Sequence, residues 1–298
     1  MRVSLRERLG SEGILIAHGA WDALTARMAE QAGAEAVYMS GSCVSSSVHG
    51  GPDIGLTTMT EMAARARQMA GVLSVPLVAD GDTGYGNALN VRRTVQEYER
   101  AGVAAIQLED QDFPKKCGHF AGKRLVDAAE FAAKVEAAVD AREHDDFLVI
   151  ARTDAIAVSG VEDAIARAEL YRDAGADVLF VEAPTSPEMM REVTSAVDGP
   201  HLANMAAKGK TPPLSKQELH ALGYDVAIHP SDAFKAALKT VKEVYETVIA
   251  EGSQRSVLDR MVEWDERDDI TAKGEWDRLE QKYDERETQY AARFARED

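Results

Sequence analysis

Eight short apolar runs, each followed by a stretch with helical spacing, constrain this chain more than any other feature. The runs lie at 14–17, 36–39, 77–79, 105–108, 148–151, 178–181, 201–203 and 226–228 and are rich in Val, Ile, Leu and Ala. Each is too short for a helix and too uniformly apolar for a strand with one wet face, so each reads as a strand of a parallel sheet buried on both sides. Between them, 21–31, 59–70, 91–100, 128–141, 161–174, 187–196 and 216–221 have helical periodicity. Gly follows Gln31-Ala, Arg100-Ala and Asp173-Ala, the position just past a helix C-terminus where a left-handed residue is wanted. Eight such units predict a (β/α)8 TIM-type barrel, with a doubly wound open sheet as the alternative.

A chain of 298 residues suits one barrel. The expected organisation is a single barrel domain over 1–298, with an N-terminal helix or arm at 1–13 and a C-terminal helical extension at 252–298. A helix is expected at 233–251 and another at 254–267, before a charged tail at 276–296 with scattered Trp, Leu, Tyr and Phe. A complete barrel does not need that tail, so a contact with another subunit is its expected role. The net charge of −17 argues against nucleic acid as a partner. No run approaches the roughly 18 apolar residues of a membrane span, and MRVSLRERLG has no signal-peptide core, so the expectation is a cytoplasmic protein. Its two cysteines, Cys43 and Cys117, are too few for a disulfide framework.

In a barrel of this kind the reactive side chains sit at the C-terminal ends of the strands. Those positions here are Ser40-Gly41-Ser42, Asp80-Gly81-Asp82, Glu109-Asp110, Arg152-Thr153-Asp154, Glu182, Asn204 and His229. Asp80 and Asp82, two residues apart just beyond a strand, point the same way if the strand geometry persists. Two like charges so close favour a divalent cation, and carboxylate oxygens suit Mg²⁺ (or Mn²⁺) better than Zn²⁺. Glu109 joins that set through water. Arg152 is a bidentate clamp for a substrate carboxylate or a partner of Glu182 and Asp154. Ser40, Gly41, Ser42 and Asn204 supply neutral donors, while His49 and Asp53 lie on a loop within reach.

The segment 109–123 is denser still. It holds Lys115, Lys116, Cys117, His119 and Lys123 within nine residues, with Gly118 and Gly122 to loosen the backbone. A thiol among ammonium groups and an imidazole loses its proton more readily, and it is suited to protonating a carbanion as general acid. One Cys and one His at this spacing are only half a zinc site.

With these residues set out, the chain resembles the isocitrate lyase/phosphoenolpyruvate mutase superfamily, and methylisocitrate lyase-like members most. The resemblance is carried by YMSGS (38–42), GPDIG (51–55), ADGDTGYGN (79–87), QLEDQDFPKKCGH (107–119), ARTDA (151–155), VEAP (181–184) and LANM (202–205). It implies a (β/α)8 barrel whose C-terminal helices are exchanged between subunits of a homodimer or homotetramer. It implies Mg²⁺ at Asp80 and Asp82, with Asp53 and Glu109 around it. It implies Ser40, Gly41, Ser42, Asp53, Gly118, Arg152, Glu182 and Asn204 as substrate contacts, with Cys117, Lys115, His119, Arg152 and Glu109 as the catalytic set. Lys-Lys-Cys-Gly-His points to the lyase branch. Two positions depart: Lys235 and Trp264 stand where methylisocitrate lyases carry arginines. Lysine keeps the charge without the fork, and tryptophan loses both.

The expected reaction is therefore a Mg²⁺-dependent carbon–carbon cleavage of a 2-hydroxy di- or tricarboxylate, methylisocitrate-like, to a 2-oxo acid such as pyruvate and a dicarboxylate such as succinate. A dimethylmalate-type lyase and an oxaloacetate decarboxylase are the alternatives, followed by a phosphonate P–C enzyme. From another class, a non-catalytic scaffold would have to carry the whole set of reactive residues unused.

Overall fold

The computed structural model describes residues 4–9, 11, 13–118 and 122–295, so His119 lies outside the described residues. The chain falls into two compact units, Met1–Ala237 and Leu238–Asp298.

The first unit holds eight strands: β1 (Leu15–Ala20), β2 (Ala36–Met39), β3 (Leu77–Asp80), β4 (Ala105–Glu109), β5 (Leu148–Thr153), β6 (Val178–Val181), β7 (Leu202–Asn204) and β8 (Val226–His229). Interleaved are α1 (Leu5–Leu9), α2 (Ala23–Gln31), α3 (Gly41–His49), α4 (Met59–Ala70), α5 (Ala88–Arg100), α6 (Ala128–Ala141), α7 (Val161–Asp173), α8 (Pro187–Ala196), α9 (Lys216–Ala221) and the start of α10 (Asp232–Glu251). All ladders are parallel and run β6-β5-β4-β3-β2-β1-β8-β7. The ring meets between β6 and β7 at one bridge, Leu179 with His201, where Leu179 N–H donates to the Pro200 carbonyl at 2.9 Å. The expected barrel is therefore the observed one.

β2 through β6 are buried along their whole length, as strands covered by helices outside and packed side chains inside must be. One core fills the barrel interior, from Leu15, Ala17 and Val78 to Phe180 and Ile228, and Leu5 of α1 belongs to it. A second core lies between strands and helices, where Tyr98, Phe131 and Tyr171 are fully buried. Helix starts are set locally. Asp22, Thr58, Asn87 and Ser215 form capping boxes, and Ser186 caps α8 just before Pro187. The glycines expected past helix ends, Gly33, Gly102 and Gly175, have φ of 96°, 87° and 99°, which a side chain would resist.

Three local expectations change. Ser40-Gly41-Ser42, expected only as a strand end, opens a helix: Ser40 is the N-cap of α3, and Gly41 and Ser42 are its first residues. Asp82 does not continue the strand, because β3 ends at Asp80 and Asp82 has φ 47°. The two carboxylates converge through that left-handed residue and the Asp82 N–H donated to Asp80 Oδ1 at 3.0 Å. Finally, the helix expected at 254–267 is broken: a 3-10 turn at Arg255–Arg260 ends in extended Met261.

The second unit holds the remainder of α10, that 3-10 turn, α11 (Trp264–Ile270) and α12 (Lys273–Phe294). Neither α10 nor α12 has a buried residue.

Candidate active site

At the C-terminal ends of the strands one cavity gathers Ser40, Asp53, Asp80, Glu109, Arg152, Glu182 and Asn204 from six strand ends and the loop before α4. Ser42, Lys115, Cys117 and Gly118 also line it. Gly41 closes against its floor, where an added Cβ would meet Asp80 Oδ2 at 2.4 Å. The structure thus brings most of the expected site residues to one cavity, while Asp82 lies behind its lining, against Lys115 Nζ at 2.6 Å. His229 stays out of the cavity. Alternation along β8 turns Ile228 inward, while His229 stacks on His18 with ring centroids 5.9 Å apart and pairs with Asp232 at 3.1 Å. His49 ends α3, 4.0 Å from Glu61.

The electrostatics are those of a buried anionic cluster. Lys115 Nζ sits 2.8 Å from Asp53 Oδ1 and 2.6 Å from Asp82 Oδ1. Burial pulls its ammonium down, but Asp82, Glu109, Asp80 and Asp53 together hold the proton on well above the usual range. Burial lifts the Asp82 carboxyl, against Lys115 and with Asp80 and Asp53, to about 7. Burial likewise drives Glu109 well above the carboxylate range despite Arg152 and Lys115. Asp154 goes the other way, to about 2, because Arg152 and Lys123 outweigh its burial.

Arg152 receives most of its support from Asp154, with Nε and Nη2 each donating at 3.0 Å, and lies over the Phe180 ring at 5.0 Å. Glu109 and Glu182 stand 3.5 and 3.9 Å from the guanidinium. The Asn204 amide donates to both Glu182 oxygens at 3.3 and 3.2 Å, across the β6–β7 junction. The lysines around Cys117 point elsewhere than the spacing implied. Lys115 serves the carboxylates, Lys116 donates to the Gly122 carbonyl at 3.1 Å, and Lys123 donates to Asp154 and the Gly118 carbonyl. The half-buried thiol therefore sits beside a carboxylate–ammonium cluster, not inside a ring of ammonium groups.

The residues fit a hard divalent cation. Asp53, Asp80, Asp82, Glu109, Asp154 and Glu182 are all buried, against Lys115, Lys123 and Arg152, so buried acids outnumber buried cations by three. Glu109 Oε1 is buried and accepts no hydrogen bond. Among the described residues, no three acidic, His or Cys side chains form a ready cage. Mg²⁺ does not need one, since it keeps several waters and takes one or two carboxylates plus substrate oxygens.

Sequence reasoning missed the cavity's remaining wall: Tyr38, Ala206, Ile228, Pro230 and Ser231. Tyr38 donates its hydroxyl to Gln107 Oε1 at 2.8 Å. Two-residue alternation along β8 marks Ile228 as the inward position, one residue before the polar His229.

A model of the phosphoenolpyruvate phosphomutase family matches residues 5–249. The chain belongs to that family. Among its members, this one is 45% identical over 266 residues to 2,3-dimethylmalate lyase of Eubacterium barkeri, covering 89% of this chain and 92% of the relative. It is 44% identical over 257 residues to 2-methylisocitrate lyase of Aeropyrum pernix, covering 86% and 82%. A solved 2,3-dimethylmalate lyase of the PEP mutase/isocitrate lyase superfamily superposes with a TM-score of 0.88 at 38% identity, covering 93% of each chain. A phosphonopyruvate hydrolase solved with oxalate and Mg²⁺ superposes at 0.85 with 32% identity, covering 94% and 98%.

Proposed function

We propose that this family member is a Mg²⁺-dependent carbon–carbon lyase for a branched 2-hydroxy dicarboxylate of the 2,3-dimethylmalate type, releasing pyruvate and propionate. The observation that carries the choice of substrate is the state of the cavity's cations. Among the described residues lining it, the cationic side chains are Lys115, already between Asp53 and Asp82, and Arg152, already bidentate with Asp154. A third substrate carboxylate would find no further charge there. Lys235 donates its ammonium to the Ala207 carbonyl at 2.6 Å, and Trp264 lies under the Arg267 guanidinium at 4.1 Å. The wall formed by Ala206, Ile228 and Pro230 suits methyl groups instead.

The first backbone N–H groups of α3, at Gly41 and Ser42, have no intrahelical acceptor and would serve the carboxylate and oxo oxygen of the pyruvyl half. Asp80 and Asp82 would hold Mg²⁺, with Glu109 and Asp53 around its waters. When bound, the metal stabilises negative charge on the substrate's hydroxyl oxygen. The hydroxyl proton passes to a carboxylate of the buried cluster as the C2–C3 bond breaks; that bond's electron pair goes to the propionate half, whose charge Arg152 and Lys115 offset. Cys117 delivers the proton to that carbon, which gives propionate.

The 45%-identical dimethylmalate lyase supports this reading, and the Mg²⁺ and oxalate held by the phosphonopyruvate hydrolase support the metal. The test is 2-oxo acid release (pyruvate, or glyoxylate from isocitrate) from 2,3-dimethylmalate, 2-methylisocitrate, isocitrate and oxaloacetate with and without Mg²⁺. At least about a tenfold higher kcat/KM for the dicarboxylate is expected, since the tricarboxylate leaves a charge unpaired. Faster turnover of 2-methylisocitrate or oxaloacetate would refute the assignment. Full turnover by Cys117→Ser would remove the thiol from its role.

The same reading includes a homo-oligomer in which C-terminal helices are exchanged. Leu238, Val241, Tyr245 and Ile249 recur at three- and four-residue spacing on α10 and are exposed. Trp276, Leu279 and Tyr283 do the same on α12, and Tyr290 and Phe294 continue that face two turns further on. An apolar stripe on a helix that buries nothing needs a partner surface.

A further inference from the structure

The backbone on both sides of Cys117 is tied to one carboxylate. Gln111, fully buried just past β4, grips Lys116 with both ends of its amide. Its Oε1 accepts the Lys116 N–H at 2.9 Å, and its Nε2 donates to the Lys116 carbonyl at 2.8 Å. The same Nε2 donates to Asp154 Oδ2 at 3.2 Å. Beyond the thiol, buried Lys123 donates to the Gly118 carbonyl at 2.7 Å and to Asp154 Oδ1 at 2.6 Å. Asp154 also takes both donors of the Arg152 fork. Gly118 lies flat on that fork, where an added Cβ would come within 2.4 Å of Arg152 Nη2 and 2.6 Å of Glu182 Oε1.

A plain counter-charge for Asp154 would not require this arrangement. Arg152 already satisfies that carboxylate with two bonds, and nothing about charge pairing calls for Lys123 to reach a loop carbonyl. Gln111 carries no charge at all, yet makes three bonds, two to the Lys116 backbone and one to the same carboxylate. We propose that Gln111 and Lys123 are positioning residues, which act through Asp154 to hold the Cys117 thiol in register with the Arg152 guanidinium. Proton donor and anion-binding group then keep one geometry, since both hang from the same carboxylate. A misplacement of about 1 Å in such a group costs on the order of a hundredfold in rate.

The inference rests on the proposed lyase reading only for its turnover measurements, so the first experiment needs no substrate. Wild-type protein and Lys123→Met are treated with iodoacetamide, and labelled cysteines are quantified by peptide mass spectrometry. Released from Lys123, Cys117 should label at least about fivefold faster, because local opening governs access to a tethered group. Cys43, 1% exposed, reports the integrity of the fold and should stay unlabelled. Equal labelling rates at Cys117 would overturn the proposal. If both thiols label, the fold has opened, and Gln111→Met decides on the same criterion, because it leaves the Lys123–Asp154–Arg152 pairing intact.

Turnover then separates positioning from general damage. Lys123→Met should lower kcat about 10- to 100-fold with KM within about threefold. In a Cys117→Ser background the same change should cost less than about twofold, as expected of residues that act through one another. An equal fractional loss in both backgrounds would also overturn the proposal, while a failed lyase assignment would leave the labelling result standing.

Discussion

Replacing Gly41 by alanine would bring a Cβ to 2.4 Å from Asp80 Oδ2 and 2.7 Å from its Cγ. Ordinary contact begins at 3.4 Å, so one of the two must yield by about 1 Å. Asp80 has little room to do so: it ends a buried strand, and its Oδ1 accepts the Asp82 N–H at 3.0 Å. The backbone of Gly41 itself has no left-handed φ, and helices favour alanine over glycine by up to about 1 kcal/mol. Folding stability and metal binding should therefore part company. The expected result is a rise of about 10- to 100-fold in the Mg²⁺ concentration for half-maximal turnover, the range seen when groups around a metal ligand are disturbed. That corresponds to about 1.4–2.8 kcal/mol. The melting midpoint of the metal-free protein should stay within about 2 °C. Calorimetric titration of Mg²⁺ into substrate-free protein measures the binding directly. Unchanged Mg²⁺ affinity in a normally folded variant would refute the placement of the metal at Asp80.

Asp82 supplies a pH signature. Its carboxyl is lifted from 3.8 to about 7 on folding, so between those values the folded state holds a proton that the unfolded state has released. Its contribution to stability is present below about pH 4 and is lost as pH rises to about 7, so Asp82→Asn should flatten that part of the metal-free melting profile. A descent of equal depth in both proteins would exclude Asp82 as its source. Ile228→Ala should lower kcat/KM for 2,3-dimethylmalate about 10- to 100-fold while leaving unbranched malate within about threefold; equal losses would remove Ile228 from the methyl pocket. Sedimentation of the intact chain at micromolar concentration should show no monomer, and Trp276→Glu with Tyr283→Glu should release it. A wild-type monomer would contradict the oligomer reading.

The strands were legible because burial on both faces writes an apolar run, and all seven expected inter-strand helices from 21–31 to 216–221 needed only boundary changes of up to three residues or none. α3 was not legible. Its sequence, GSCVSSSVH, is rich in glycine, serine and β-branched residues with low helix propensity, so its helicity comes from packing: Cys43, Val44 and Ser45 are buried. The acidic and basic site residues were legible because strand ends and ionisable side chains coincide at one rim. What those residues do to each other was not. Spacing placed three lysines near Cys117, but side-chain reach sends Lys115 to Asp82 and Lys123 to Asp154, far along the sequence. Asp82 was found for a reason the backbone does not support, since a turn at φ 47° and not strand alternation turns it towards Asp80.

The junction of β6 and β7 gives the site a second duty. Every other pair of neighbouring strands is joined by a ladder, whereas these two share one bridge, and just above it Asn204 spans to Glu182. Two groups of the cavity lining are thus also the clasp on the hoop. Catalytic residues commonly cost a fold some durability, and their removal can toughen it. Here chemistry and durability are inherited together: a drift at Asn204 that relaxed selectivity would also loosen the ring, and a substrate held by both residues would tighten it.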